Sequence, residues 1–117
     1  MSKERRNFYR IHYPSTKSAI LSVCGVDFEI INLSETGAKA KFSHDFKKLI
    51  KKNSSYEISI QLIAGEGISL VGKVLRVKKD ELVFSFESSI PYELIMKEQR
   101  YLIQYRLKIQ GQNINQE

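Results

Sequence analysis

YEISIQLIAGEGISLVGKVLRV, residues 56–77, decides the fold. Tyr56, Ile58, Ile60 and Leu62 fall on alternate positions with Glu57, Ser59 and Gln61 between them. That two-residue period belongs to a strand with one buried face. AGEG at 64–67 then sets two glycines between this run and the next, which marks a hairpin. ISLVGKVLRV at 68–77 is the returning strand. Working outward toward the N-terminus, SAILSV at 18–23 reads as a short strand and Cys24-Gly25 as a turn. In VDFEIIN at 26–32, Val26, Phe28 and Ile30 alternate with Asp27 and Glu29. NLSETG follows as a cluster of turn formers. Ala38, Ala40 and Phe42 then alternate with Lys39 and Lys41. On the other side, KKDE at 78–81 is a turn and LVFSFE at 82–87 a closing strand. Six short strands at regular spacing predict a mainly β domain, a barrel or a sandwich.

Two segments carry a different period. HDFKKLIKKN at 44–53 spaces Phe46, Leu49 and Ile50 for one or two turns of a short connecting helix. After Pro91, Ile95, Leu102, Tyr105 and Ile109 recur at helical intervals among Lys97, Arg100, Arg106 and Lys108. This predicts an amphipathic helix over 91–109, since proline is tolerated in a first turn. It would pack on the β core or on a neighbouring subunit. The expected organisation is an N-terminal arm at 1–13, a β domain with its helix at 14–110, and a flexible tail at 111–117.

A chain of 117 residues with 42% apolar content has room for one domain and a real core. No run approaches the roughly 18 apolar residues of a membrane span. The basic N-terminus is not followed by the apolar stretch of a secretory signal. One cysteine, Cys24, cannot form an internal disulfide. The expectation is a soluble, cytoplasmic chain. Its formal charge of +6 is uneven. Lys3, Arg5, Arg6, Arg10 and Lys17 face only Glu4 in the first twenty positions. Six lysines between 39 and 52 face only Asp45. Such asymmetry suits an anionic partner.

Little supports catalysis. His12 and His44 stand apart, no His/Cys/carboxylate cluster has metal-ligand spacing, and no phosphate-cradling glycine loop opens a helix. Cys24 beside a turn is most simply a small hydrophobe, and Ser34 has no base near it in sequence. No enzyme and no cofactor are expected.

Two short motifs carry the functional signal. One is R-x-x-x-R, Arg6 to Arg10, within ERRNFYR at 4–10. The other is N-x-S-x-x-G, formed by Asn32, Ser34 and Gly37. Each alone is weak. Together, one strand pair apart, they resemble the PilZ domain family, whose members bind the bacterial second messenger cyclic di-GMP. VGKVLRV at 71–77, with Gly72, is similar to a later strand of that family, FSF at 84–86 to the next, and EQRYLIQYR to its terminal helix. The resemblance runs from about residue 4 to about residue 109. Val83 departs from it, since many relatives carry glycine there. The resemblance implies a six-stranded antiparallel β-barrel with a short connecting helix and a C-terminal amphipathic α-helix. It also implies a non-catalytic receptor that signals to a downstream protein, in motility, polysaccharide or virulence machinery.

The residue types suit that ligand. It has two phosphodiester charges, and each guanine offers O6 and N7 to an arginine fork. A guanidinium also stacks on a purine face better than an ammonium does. In an extended arm, Arg6 and Arg10 share one side and Arg5 takes the other. In the family, the position just before the first arginine goes with how many ligand molecules bind, and Arg5 there fits a stacked pair. Asn32 offers an acceptor to guanine N–H groups and Ser34 a hydroxyl donor. Gly37 allows a close approach of ligand and backbone, or a positive φ. Glu35 and Thr36 are expected in solvent. Arg76 on the later strand is expected to stack on a guanine. The reading that follows is a latch: arginines that repel one another without ligand close over a dianion, and the moved arm offers a new face to a partner. The terminal helix can also support a homodimer. A small basic β-barrel binding RNA or DNA is the rival reading, but the sequence lacks an aromatic stacking platform on a basic strand. Nucleic acid is therefore not the expected partner. A PilZ-like protein acting only through protein contacts is a further alternative, against which the intact motifs speak.

Overall fold

The computed structural model describes residues 10–41 and 49–115. Among these residues seven strands precede one helix. They are β1 (Arg10–His12), β2 (Ile20–Val23), β3 (Val26–Ser34), β4 (Gly37–Lys41), β5 (Ser55–Gln61), β6 (Gly67–Val77) and β7 (Glu81–Phe86), followed by α1 (Tyr92–Asn115). All pairings are antiparallel. β3-β2-β5-β6-β7-β4 run side by side, and β3 pairs with β4 to close a six-stranded barrel. Closure removes the open edges of these six strands. The six expected strands are the six barrel strands.

The seventh strand lies in the segment expected to be an arm. β3 is long, and β2 covers its edge only from Val26 to Glu29. β1 then takes over, with Arg10 opposite Ser34, Ile11 opposite Leu33 and His12 opposite Asn32. Three residues cannot display an alternating pattern, so the strand is invisible in sequence, yet Ile11 is fully buried. Arg5 and Arg6, with Phe8 and Tyr9, lie outside the described residues. So do residues 44–48 of the expected connecting helix; residues 49–53 that follow them form turns rather than helix.

Inward positions fill the barrel: Leu21, Phe28, Ile30, Ile60, Val74, Leu82 and Phe84 are all essentially inaccessible. The period-2 patterning of the sequence is thus the packing pattern of the core. Cys24 and Gly25 both take positive φ, 53° and 76°, and join β2 to β3 as a two-residue turn.

The helix closes one end of the barrel. Pro91 precedes it, and its carbonyl accepts from the Leu94 and Ile95 amides. Ile95 and Leu102 are fully buried, and so is Glu98, which stands in the same helical row. Its carboxylate accepts three hydrogen bonds. Tyr13 Oη donates to Oε2 at 2.7 Å, the Ile63 amide to Oε2 at 2.9 Å, and the Ala64 amide to Oε1 at 3.0 Å. A buried charge is tolerable only with such a set. Three further contacts join the end of β1 and the chain after it to the helix. Arg106 Nη2 donates to the His12 carbonyl at 2.9 Å, the Thr16 and Tyr105 hydroxyls meet at 3.0 Å, and Lys17 Nζ lies 5.9 Å from the Tyr105 ring centre. The helix continues past residue 109 to Asn115. No helix among the described residues is long and apolar enough to cross a membrane.

Burial, and then the Glu98 carboxylate beside it, holds the Tyr13 phenol well above its ordinary value of 10.0. Above about pH 10 an unfolded chain releases this proton while the folded chain keeps it. The unfolded state then binds fewer protons, so stability falls as pH rises, by about 1.4 kcal/mol per pH unit for one such group. Tyr13→Phe is expected to cost about 1 kcal/mol at neutral pH, through the lost donor. Between pH 10 and 11 it should then flatten the decline, and urea unfolding at both pH values measures the difference. Equal slopes for the two proteins would contradict the assignment.

Candidate functional site

The N-x-S-x-x-G turn is built from inside. The Ser34 hydroxyl accepts from the Thr36 amide at 3.2 Å and donates to the Gly37 carbonyl at 3.4 Å. With only 7% of Ser34 exposed, the side chain expected to reach a ligand first serves to fold the turn. Glu35 and Thr36 are not in free solvent either. Both are half-buried, and their carbonyls accept from the Ile90 and Phe86 amides, each at 2.8 Å. The turn is thereby fixed to the end of β7 and to the start of the helix.

Gly37 has a reason that sequence did not supply. Its φ is not positive. A Cβ there would lie 2.5 Å from the Phe84 carbonyl oxygen, across the β4–β7 pairing. The close approach is between two strands of the barrel, and it is backbone to backbone.

One register row crosses the outer face beside this turn: His12, Asn32, Lys39, Val83 and Arg76 are successive Cα partners on β1, β3, β4, β7 and β6. Arg10, Asn32, Ser34, Lys39, Leu75 and Val83 line a cleft of about 290 Å³ along it, at the lower end of small-molecule site volumes. Arg10, Asn32, Ser34 and Gly37 therefore meet in one place. Arg76 belongs to the row but not to the lining. It lies three strand spacings from Asn32, roughly 14 Å. A bulge between Val74 and Arg76 inserts Leu75, which takes the lining position and is 46% exposed. Val83 also lines the cleft, so the departure from the family pattern falls on the site itself.

Lys39 was not singled out for the site. The signal was present in the alternation of Ala38, Lys39 and Ala40, which turns the lysine outward, opposite Asn32. Its ion pair with Glu81, at 4.0 Å and partly exposed, holds it weakly. Arg10 and Lys39 thus flank Asn32 with two cations. A larger groove of about 550 Å³ crosses β2, β5 and β6, but its polar lining comprises Ser22, Ser59, Ser69 and the Glu57 carboxylate without a cation. Cationic lining favours the smaller cleft for an anion. No group of three or more His, Cys, Asp or Glu that could hold a metal occurs among the described residues.

Comparison with known proteins agrees with this architecture. No curated protein matches the chain in sequence. Among solved structures, the PilZ domain of YcgR from Escherichia coli, determined with c-di-GMP, superposes with a TM-score of 0.64 at 13% identity, covering 94% of this chain and 98% of that one. The inhibitor of motility MotI/DgrA from Bacillus subtilis gives 0.61 at 15% identity over 93% of this chain and 52% of its own. A longer chain of E. coli YcgR in complex with c-di-GMP gives 0.59 at 13% identity over 97% and 51%. This chain spans about half the length of the latter two. The PilZ domain family model matches residues 4–110. With that match over nearly its whole length, and with the closed barrel and capping helix, the chain belongs to the PilZ domain family.

Proposed function

We propose that the chain is a non-catalytic receptor for cyclic di-GMP that passes the binding event to a partner protein. One observation carries the reading: Arg10, the second arginine of R-x-x-x-R, pairs through β1 with Ser34 of N-x-S-x-x-G, so two motifs distant in sequence share one cleft. The ligand in the YcgR structure supports the same choice. In this reading Arg10 presents a two-pronged donor to guanine O6 and N7 or to a phosphate. Asn32 accepts from the opposite guanine edge, and Lys39 adds a point charge for a phosphodiester. Arg5 and Arg6 complete the cationic set from the arm. Leu75 offers an apolar surface to a base, with Arg76 beside it able to stack where a second base extends past the bulge.

The link to a partner runs through the end of β1 and the segment after it. His12, Tyr13, Thr16 and Lys17 all contact α1. A pull on Arg10 is thus a pull on the helix.

Calorimetry with the purified chain tests the reading. Cyclic di-GMP is expected to bind saturably, and Arg10→Ala to weaken it by tenfold to a hundredfold, from about 1.5–3 kcal/mol of charge-assisted hydrogen bonding. Arg10→Lys is expected to recover only part, because an ammonium lacks the fork. No heat with wild type at high ligand concentration overturns the proposal. So does stronger binding to a long RNA with a steep salt dependence, which belongs to the nucleic-acid reading.

A further inference from the structure

The barrel-facing row of α1 accounts for Ile95, Glu98 and Leu102, and leaves a second apolar row unexplained. Tyr92, Met96, Ile103 and Leu107 stand four, seven and four residues apart, which puts them on one line along the helix. At about 100° per residue this line lies roughly 120° round the helix from the barrel-facing row, so it faces solvent rather than the barrel. Three of its members are strongly exposed: Tyr92 at 57%, Ile103 at 45% and Leu107 at 60%. A helix whose outer face is also apolar is ordinarily covered by something.

Charge decides what covers it. From Tyr92 to Ile109 the helix carries Lys97, Arg100, Arg106 and Lys108 against Glu93 and Glu98, and Glu98 is sealed against the barrel. Lys97 is paired with Glu66 at 2.9 Å, while Arg100 lies on the apolar line itself. Two copies laid parallel would set cations against cations; laid antiparallel, Glu93 of each would meet the Arg106–Lys108 end of the other, and the seam would still keep an excess of cations. A like-charge seam of that kind disfavours association.

We propose that the outer face of α1 docks an acidic amphipathic helix of a partner protein, its apolar side on Ile103 and Leu107 and its carboxylates on Arg100 and Lys108. This is the groove-and-helix mode, read as anchors three and four residues apart. It deepens, and rests on, the reading that the chain reports to a partner protein. Arg106, which holds the His12 carbonyl, joins this face to the strand that carries Arg10.

The probe is a labelled synthetic helical peptide with leucines at three- and four-residue spacing flanked by glutamates. A counterpart has lysines in place of the glutamates. Fluorescence anisotropy with the full chain is expected to show saturable binding of the glutamate peptide, at least about tenfold tighter than the lysine peptide and weakened by salt. Leu107→Glu, at an exposed position, is expected to weaken it by about tenfold or more while leaving the thermal midpoint and cyclic di-GMP binding unchanged. Equal binding of both peptides, no binding, or indifference to Leu107→Glu overturns the proposal. So does sedimentation that finds a wild-type dimer made monomeric by Leu107→Glu, since a second copy then owns the face. Calorimetry with cyclic di-GMP on the same samples separates the two failures: a chain that binds the dinucleotide but not the peptide refutes the docking face alone.

Discussion

Glu98→Ala is expected to lower stability by about 3–5 kcal/mol, the usual result of breaking a buried charged network from one side. The carboxylate has no exposure, and the substitution leaves Tyr13 Oη and the Ile63 and Ala64 amides without their acceptor. Each donor left unpaired costs about 1–3 kcal/mol. For a domain of this size the melting temperature is expected to fall by on the order of 10–20 °C. Glu98→Gln keeps the shape and one acceptor oxygen, so it should lose less. Its amide nitrogen would nonetheless face a donor. Calorimetric melting of the three proteins checks the order. A shift of under about 2 °C for the alanine variant would show that the network contributes little.

The second large effect is at Gly37. Gly37→Ala places a carbon 2.5 Å from the Phe84 carbonyl oxygen. That atom is backbone inside the β4–β7 ladder, where Gly37 faces Ser85 and Ala38 faces Phe84, so it cannot swing away. The strands must part, at about 2–3 kcal/mol for overpacking. Because the turn they carry also forms the cleft, cyclic di-GMP affinity is expected to fall as well. Gly67→Ala is the control, since the nearest atom is Gln61 Oε1 at 3.5 Å, the end of a flexible side chain. It should cost under about 1 kcal/mol. Urea unfolding separates the two roles a glycine can have here. Lost binding at unchanged stability would mean that Gly37 serves the ligand rather than the barrel.

What could be read in the sequence followed from how repetitive each signal was. Strands β2 to β7 alternate over enough positions for inside and outside to separate, so both their existence and their facing are legible. β1 offers three residues and no period, and only the uncovered edge of β3 calls it into place. The two ligand motifs were legible as residue types, but their internal roles were not. Ser34 looks like a ligand donor until its bonds to Thr36 and Gly37 are seen. The limiting contact of Gly37 is with a strand remote in sequence. The Leu75 bulge, which separates Arg76 from the cleft lining, leaves no local mark either. In α1 the row from Ile95 to Ile109 was legible as one face, of which Ile95 and Leu102 are core while Ile109 is exposed. Glu98 sits in that row and could have been flagged as a carboxylate needing a buried partner, though Tyr13 and the 62–66 loop could not have been named from sequence.

The bonds from the end of β1 and the segment after it to α1 join residues 85, 89 and 94 positions apart. During synthesis on a ribosome, Tyr13 has no acceptor until Glu98 has cleared the exit tunnel. The barrel's end therefore closes late, and contacts of such long sequence separation slow folding relative to helical domains of similar length.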